Sequence, residues 1–230
     1  MCGIFGVLDL RGDPIPHSFA EGMGASIVHR GPDDEGVYSA GPCLIGMRRL
    51  SIIDLAGGHQ PLSNKDKTVW LVCNGEIYNF RELHKELESR GHQFLTGSDC
   101  ETIIHAYIEY GDAFIHRLNG MFGFALWDAR SNRLIIGRDR LGIKPLYIYN
   151  DGRRLAFGSE AKSLLALPGV RTALNPAALP DYLSLGYVPA PRTIFQGITK
   201  LAPATYLSIQ AGKIEETRYW NVPIDINRKL

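Results

Sequence analysis

The residue on which chemistry could be built is Cys2, in the opening run Met1-Cys2-Gly3-Ile4-Phe5-Gly6. Loss of Met1 would leave a thiol and a free α-amine on one residue, so that nucleophile and base sit together without a separate histidine. An α-amine has an unperturbed pKa of about 7.7–8.0, so much of it is neutral near neutrality and can take the thiol proton directly or through one water. The same residues can also simply start a first strand, Ile4 to Leu8, and position two alone does not choose between the readings. A thiolate attacking an amide also needs donors for the developing oxyanion, and an amino-acid substrate needs a cation for its carboxylate and an anion for its ammonium. Three stretches offer such groups: Arg48-Arg49-Leu50-Ser51-Ile52, Asn74-Gly75-Glu76 and Gly97-Ser98-Asp99.

These stretches, with His29-Arg30-Gly31-Pro32-Asp33, Asn74-Gly75-Glu76-Ile77-Tyr78-Asn79 and Gly137-Arg138-Asp139-Arg140-Leu141-Gly142-Ile143-Lys144-Pro145-Leu146-Tyr147, resemble in unbroken order the class II glutamine amidotransferases. The similarity is greatest to the amino-terminal glutaminase domain of asparagine synthetases and runs from Cys2 to about Trp220. The resemblance implies an α+β fold, the four-layer αββα sandwich of N-terminal nucleophile hydrolases, with two antiparallel sheets between helical layers. It implies that Cys2 is the nucleophile and that Asn74 and Gly75 bind the oxyanion. It also implies that Arg49, Leu50, Ile52, Ile53, Asn74, Gly75, Glu76 and Asp99 form the site for L-glutamine, with Arg49 on the carboxylate and Asp99, assisted by Glu76, on the ammonium. No metal is implied. Such proteins continue into a synthetase domain with an S-G-G-x-D-S loop for the pyrophosphate of ATP, and that motif is not found here. ATP and Mg are therefore expected only for a synthetase domain outside this chain, acting downstream or in trans. Residues 1–220 are expected to be the glutaminase domain and 221–230 the start of a linker. Two alternatives stay open: a class II enzyme with a phosphoribosyl or sugar acceptor, and a module that senses glutamine without hydrolysing it. A papain-like arrangement is disfavoured because no scaffold precedes Cys2.

The bulk properties agree with a small-molecule enzyme. A chain of 230 residues with 45% hydrophobic content suits one sizeable domain. Lys and Arg total 25 against 24 Asp and Glu, which points to no nucleic-acid or membrane surface. No basic-then-apolar leader and no long apolar run is present, so a cytoplasmic protein is expected, with a homodimer possible. Cys2, Cys43, Cys73 and Cys100 show no C-x-x-C spacing, and Cys43 and Cys73 sit in apolar runs as small core residues. His29 and His105 read as structural, since no H-E-x-x-H or comparable set accompanies them.

The elements that must position these groups follow from periodicity and turn chemistry. A helix is expected over His17 to Ile27, paired strands over Val37 to Ser39 and Cys43 to Met47, and an extended run over Leu50 to Ile53. Alternation sends Arg48 and Arg49 to opposite faces. A long loop, Asp54 to Lys67, precedes a strand over Thr68 to Cys73. Asn74-Gly75 by itself is a strong type I′ hairpin signal. The helix expected from Asn79 to Arg90, with Asn79 as cap, instead makes the pair a strand-to-helix junction. Ser98-Asp99-Cys100-Glu101 matches a capping box and starts a helix at Ser98. Strands over Met121 to Trp127, Arg133 to Gly137, Leu146 to Tyr149 and Leu155 to Gly158 should pair antiparallel. Arg138 to Pro145 lacks a phosphate-loop pattern and reads as structural. Short helices over Ser159 to Leu167 and Pro176 to Leu185, and a hairpin over Ala204 to Gln210 and Lys213 to Tyr219, complete the chain.

Overall fold

Apolar residues at every second position, on both faces, make the first strand, β1 (Gly3–Asp9), a central one. Ile4 and Leu8 face one cluster, Phe5 and Val7 another. The computed structural model describes residues 1–50, 58–171 and 173–223. Within them β1 is flanked by β2 (Asp34–Ala40), β3 (Cys43–Arg49), β8 (Tyr147–Asn150), β9 (Arg154–Gly158) and β10 (Ile198–Lys200) in the order β10-β8-β9-β1-β3-β2. The second sheet holds β4 (Leu62–Ser63), β5 (Val69–Ile77), β6 (Gly120–Asp128), β7 (Arg133–Arg138), β11 (Thr205–Gln210) and β12 (Lys213–Arg218), ordered β12-β11-β7-β6-β5-β4. All recorded pairings are antiparallel.

Three apolar interfaces define four layers. Ile4, Ile45, Met47, Val72, Trp127, Ile136 and Phe157 interdigitate between the sheets. The outer face of the first sheet packs Phe5, Val7 and Leu44 against Met23 and Ile27, at and just beyond α1 (Ser18–Ser26), and Leu164 of α5 (Ala161–Leu165). The outer face of the second packs Leu71, Cys73, Phe124 and Leu126 against α2 (Phe80–Ser89), α3 (Glu101–Tyr110) and α4 (Phe114–Arg117). This is the αββα sandwich. Leu83 and Leu87, four apart on α2, are its only buried side chains, and burying each contributes about 1.5–3 kcal/mol. The last short helix, α6 (Leu179–Leu185), lies outside these layers and buries none of its residues.

Two local signals are overridden. Asn74-Gly75 is neither a turn nor a junction: β5 runs straight through it and pairs with β6 from Val69↔Asp128 to Ile77↔Gly120. Nonlocal pairing along that whole length outweighs the turn preference of two residues. The strand-to-helix junction lies later, at Tyr78-Asn79, and the Asn79 carboxamide does not cap α2. It bonds the Arg117 carbonyl at 2.9 Å and the Asn119 N–H at 3.0 Å instead. The capping box also fails. The Glu101 carboxylate accepts from the N–H groups of Leu95 (2.6 Å) and Thr96 (2.7 Å) and from the Thr96 hydroxyl (2.6 Å), so α3 starts at Glu101 and not at Ser98. The four middle strands pair antiparallel as two hairpins, β6 with β7 and β8 with β9, but the hairpins lie in different sheets. Ile52, Ile53 and the extended run from Ser51 lie outside the described residues, as does the end of the chain from position 224.

Candidate active site

At one end of the sandwich, the start of β1, the end of β3 and the second half of β5 converge on a cavity of about 420 Å³. Its lining includes Cys2, Arg49, Leu50, Asn74, Gly75, Glu76 and Asp99, brought together from four separate parts of the chain. A cavity of this size suits a small metabolite.

Alternation along the strands decides which side chains reach it. Cys2 has the parity of Ile4 and Leu8, and Asn74 that of Val72, so both face the space between the sheets. Arg49 shares the parity of Ile45 and Met47, lines the cavity and is buried. Arg48 points the other way, to the Glu35 carboxylate at 2.8 Å and the Gly24 carbonyl at 3.3 Å.

Hydrogen-bond direction along β5 follows the same parity. Beyond the two ends of the ladder, Ala129 N–H donates to Thr68 O (2.9 Å) and Tyr78 N–H to Asn119 O (2.8 Å), so the even-numbered residues of β5 bond to β6. The odd-numbered peptides therefore point away from β6. Leu71 meets β4, whose pairing ends there. Cys73 is held by the Gln60 carboxamide, which accepts from its N–H at 2.7 Å and donates to its carbonyl at 3.2 Å. The Ile77 N–H donates to Asp99 Oδ2 at 2.6 Å. Between them the Gly75 N–H faces the cavity edge and meets no acceptor among the described residues. Asn74 is 2% exposed, and its Nδ2 is buried without a hydrogen-bond partner among the described residues. Among the described residues two donors thus lack an acceptor on adjacent positions, and the buried one, Asn74 Nδ2, is costly to leave unmet unless a ligand oxygen uses it. Glycine at 75 is a steric requirement, since a Cβ there would lie 2.3 Å from the Met121 carbonyl oxygen.

The Cys2 sulfur accepts from the Leu50 N–H at 3.4 Å, and its thiol donates to the Leu50 carbonyl at 3.5 Å. Burial pushes this thiol up, against the opposing pull of the Leu50 N–H. Met1 lines the same cavity and is exposed. Burial likewise pushes up the Asp99 carboxyl despite its bond from Ile77. It pushes up Glu76 too, with the negative charge of Asp99 adding to the effect and Lys144 opposing it. Two neighbouring carboxyls in such surroundings favour a cationic partner.

Several lining residues have no local signature. Gln60 lies in a polar loop, and nothing in the pattern around it marks its role. Ile143 and Lys144 come from the Arg138 to Pro145 segment, which is structural, as expected, but also supplies cavity wall. Asp139 shapes that segment by accepting from the N–H groups of Leu141, Ile143 and Lys144 at 3.1, 2.9 and 3.0 Å. The His29-Arg30 loop reaches Cys2 directly, since Arg30 Nε donates to the Cys2 carbonyl at 2.8 Å. His29 meets Glu160 at 2.8 Å and His105 meets Glu101 at 3.2 Å, both in structural contacts. Among the described residues no cluster of His, Cys, Asp and Glu is placed to hold a metal ion, and no helix is long and apolar enough to cross a membrane.

Comparison with known proteins agrees with this geometry. A family model described as a glutamine amidotransferase domain matches residues 1–220. Asparagine synthetase [glutamine-hydrolyzing] 3 of Bacillus subtilis is 39% identical over 226 residues, covering 96% of this chain and 37% of that protein. Asparagine synthetase B [glutamine-hydrolyzing] of Escherichia coli is 45% identical over 167 residues, covering 72% of this chain and 30% of that protein. The chain thus spans about a third of the length of these relatives. A solved glutamine phosphoribosylpyrophosphate amidotransferase from B. subtilis superposes with a TM-score of 0.68 over 97% of this chain and 50% of its own, at 19% identity, which shows the shared fold. The sandwich, the cavity at the start of its first strand and the match along nearly the whole sequence place this chain in the glutamine amidotransferase family, in the form found in asparagine synthetases.

Proposed function

We propose that the chain hydrolyses the side-chain amide of L-glutamine through Cys2. After loss of Met1 the Cys2 α-amine takes the thiol proton and the sulfur attacks the amide carbon. The carbonyl electrons move onto oxygen, which Asn74 Nδ2 and the Gly75 N–H bind. The protonated amine returns its proton to the amide nitrogen, ammonia leaves and a thioester remains. Water, activated by the same amine, then releases glutamate and restores the thiol. Arg49 pairs with the substrate carboxylate, while Asp99 and Glu76 pair with its ammonium. Leu50, Ile52 and Ile53 complete the substrate's surroundings.

The observation that carries this reading is the pair of donors, Asn74 Nδ2 and Gly75 N–H, that meet no acceptor among the described residues and lie on the wall of the cavity that also holds the Cys2 sulfur. Relatives named as glutamine-hydrolyzing asparagine synthetases support a second step, in which the ammonia serves a synthetase region in the same polypeptide or a partner. The family resemblance implies that this region uses ATP and Mg to activate a carboxylate, that of aspartate. Steady-state release of glutamate from glutamine tests the first half. Cys2→Ala is expected to abolish release while leaving the melting transition in place. Turnover that survives this substitution would reject the mechanism.

A further inference from the structure

Past the end of β4, the outer edge of β5 has no strand neighbour among the described residues, and each buried peptide group there needs another partner. Gln60 supplies one. Its carboxamide bonds both the N–H and the carbonyl of Cys73, as the backbone of a neighbouring strand would. Gln60 is itself 6% exposed and forms part of the cavity wall. It is anchored from behind by the first sheet. A Cβ on Gly36 of β2 would lie 1.9 Å from the Gln60 carbonyl oxygen, so glycine permits the contact. The adjacent His59 imidazole meets Asp34 at 2.7 Å. Gln60 therefore ties the edge of one sheet to a peptide of the other. That peptide lies one outward-facing position before the Gly75 N–H, and Asp99 holds the next one after it.

We propose that Gln60 is a positioning residue for amide hydrolysis: bonding both the N–H and the carbonyl of Cys73 as a neighbouring strand would, it holds β5 so that the Gly75 N–H points at the developing oxyanion. This rests on the reading of Gly75 as an oxyanion donor. Satisfying a buried peptide alone would make Gln60 matter for stability. Aiming the next donor makes it matter for the tetrahedral state over the ground state.

The test uses Gln60→Met, which keeps the length and removes both hydrogen bonds, and Gln60→Glu, which keeps an acceptor and regains a donor only when protonated. Glutamine turnover is measured together with inhibition by two probes. L-Glutamate γ-semialdehyde adds to the thiol to give a tetrahedral adduct, whereas L-glutamate binds without adding. For Gln60→Met we expect kcat to fall by about tenfold to a hundredfold with KM nearly unchanged. Semialdehyde inhibition should weaken by a similar factor and glutamate inhibition should hold. For Gln60→Glu, kcat relative to the unsubstituted chain should rise as pH is lowered. Unimpaired kcat in the Met variant, or equal weakening of both probes, overturns the proposal while the unsubstituted chain still turns over. If the Met variant does not fold, a pH-independent ratio in the Glu variant overturns it. Absence of turnover in the unsubstituted chain would reject the functional reading itself, and this inference with it.

Discussion

The Leu50 peptide holds the Cys2 sulfur from both sides, with its N–H 3.4 Å and its carbonyl 3.5 Å away. The N–H favours a thiolate and the carbonyl a thiol, yet burial dominates and raises the thiol above its ordinary value. While Met1 is present, little thiolate should exist near neutrality. Iodoacetamide labelling of Cys2 in Met1-bearing protein is therefore expected to be slow there and to accelerate only on the alkaline side. Removing Met1 frees the α-amine of Cys2 itself, partly neutral near an unperturbed pKa of about 7.7–8.0, and should speed labelling at neutral pH. Peptide mapping separates Cys2 from the buried Cys43, Cys73 and Cys100. Identical rates with and without Met1 would contradict the amine's role.

Asn74 should divide stability from activity. Its Nδ2 is buried with no partner among the described residues, so replacing the amide by an apolar side chain of similar volume removes an unmet donor. For Asn74→Leu we expect a melting temperature equal to or above that of the parent, together with a kcat lower by about 10²–10³. A large loss of stability would mean that the amide serves the fold.

Gly75→Ala should damage both. The new methyl would lie 2.3 Å from Met121 O and 2.7 Å from Phe122 Cα, both on the β6 backbone, which cannot step aside as a flexible side chain would. A cost of about 1–3 kcal/mol in urea unfolding is expected, with loss of turnover in the folded fraction.

Asp99 links glutamine binding to pH. Burial raises its carboxyl, so the folded state holds this proton at pH values where the unfolded chain has released it. Stability from this group is therefore greatest below the ordinary carboxylate range and falls as pH rises through the raised folded value. Asp99→Asn removes that ionisation and keeps an acceptor for the Ile77 N–H. It should melt higher than the parent at neutral pH while losing glutamine binding. In the parent, KM for glutamine should climb on acidification before ordinary carboxylates titrate, because protonation removes the partner of the substrate ammonium. A KM that stays flat until pH about 4 would contradict this.

Much of the site was legible because its residues occur in short contiguous runs. Cys2 at the second position, Arg49 beside Arg48 in an alternating strand, and Asn74-Gly75-Glu76 offer the right groups in such runs, and the family resemblance of the runs, not each position alone, pointed to their chemistry. The strands of the second half and the helix over Phe80–Ser89 were readable for the same reason: apolar periodicity records which face is buried. The misreadings were local signals overruled by distant partners. Asn74-Gly75 resembles a turn until β6 pairs along its whole length, and Ser98 to Glu101 resembles a cap until Leu95 and Thr96 claim the glutamate.

By itself, then, the amino-acid order determined which functional groups the protein owns and which strand faces carry them. Tertiary structure decided which backbone groups are free to work. The direction of a peptide N–H in a strand depends on which neighbour its parity faces, and that follows from the register of β5 on β6 and from where β4 stops. Gln60, thirteen positions before the peptide it holds, acquires its place only when both sheets have packed.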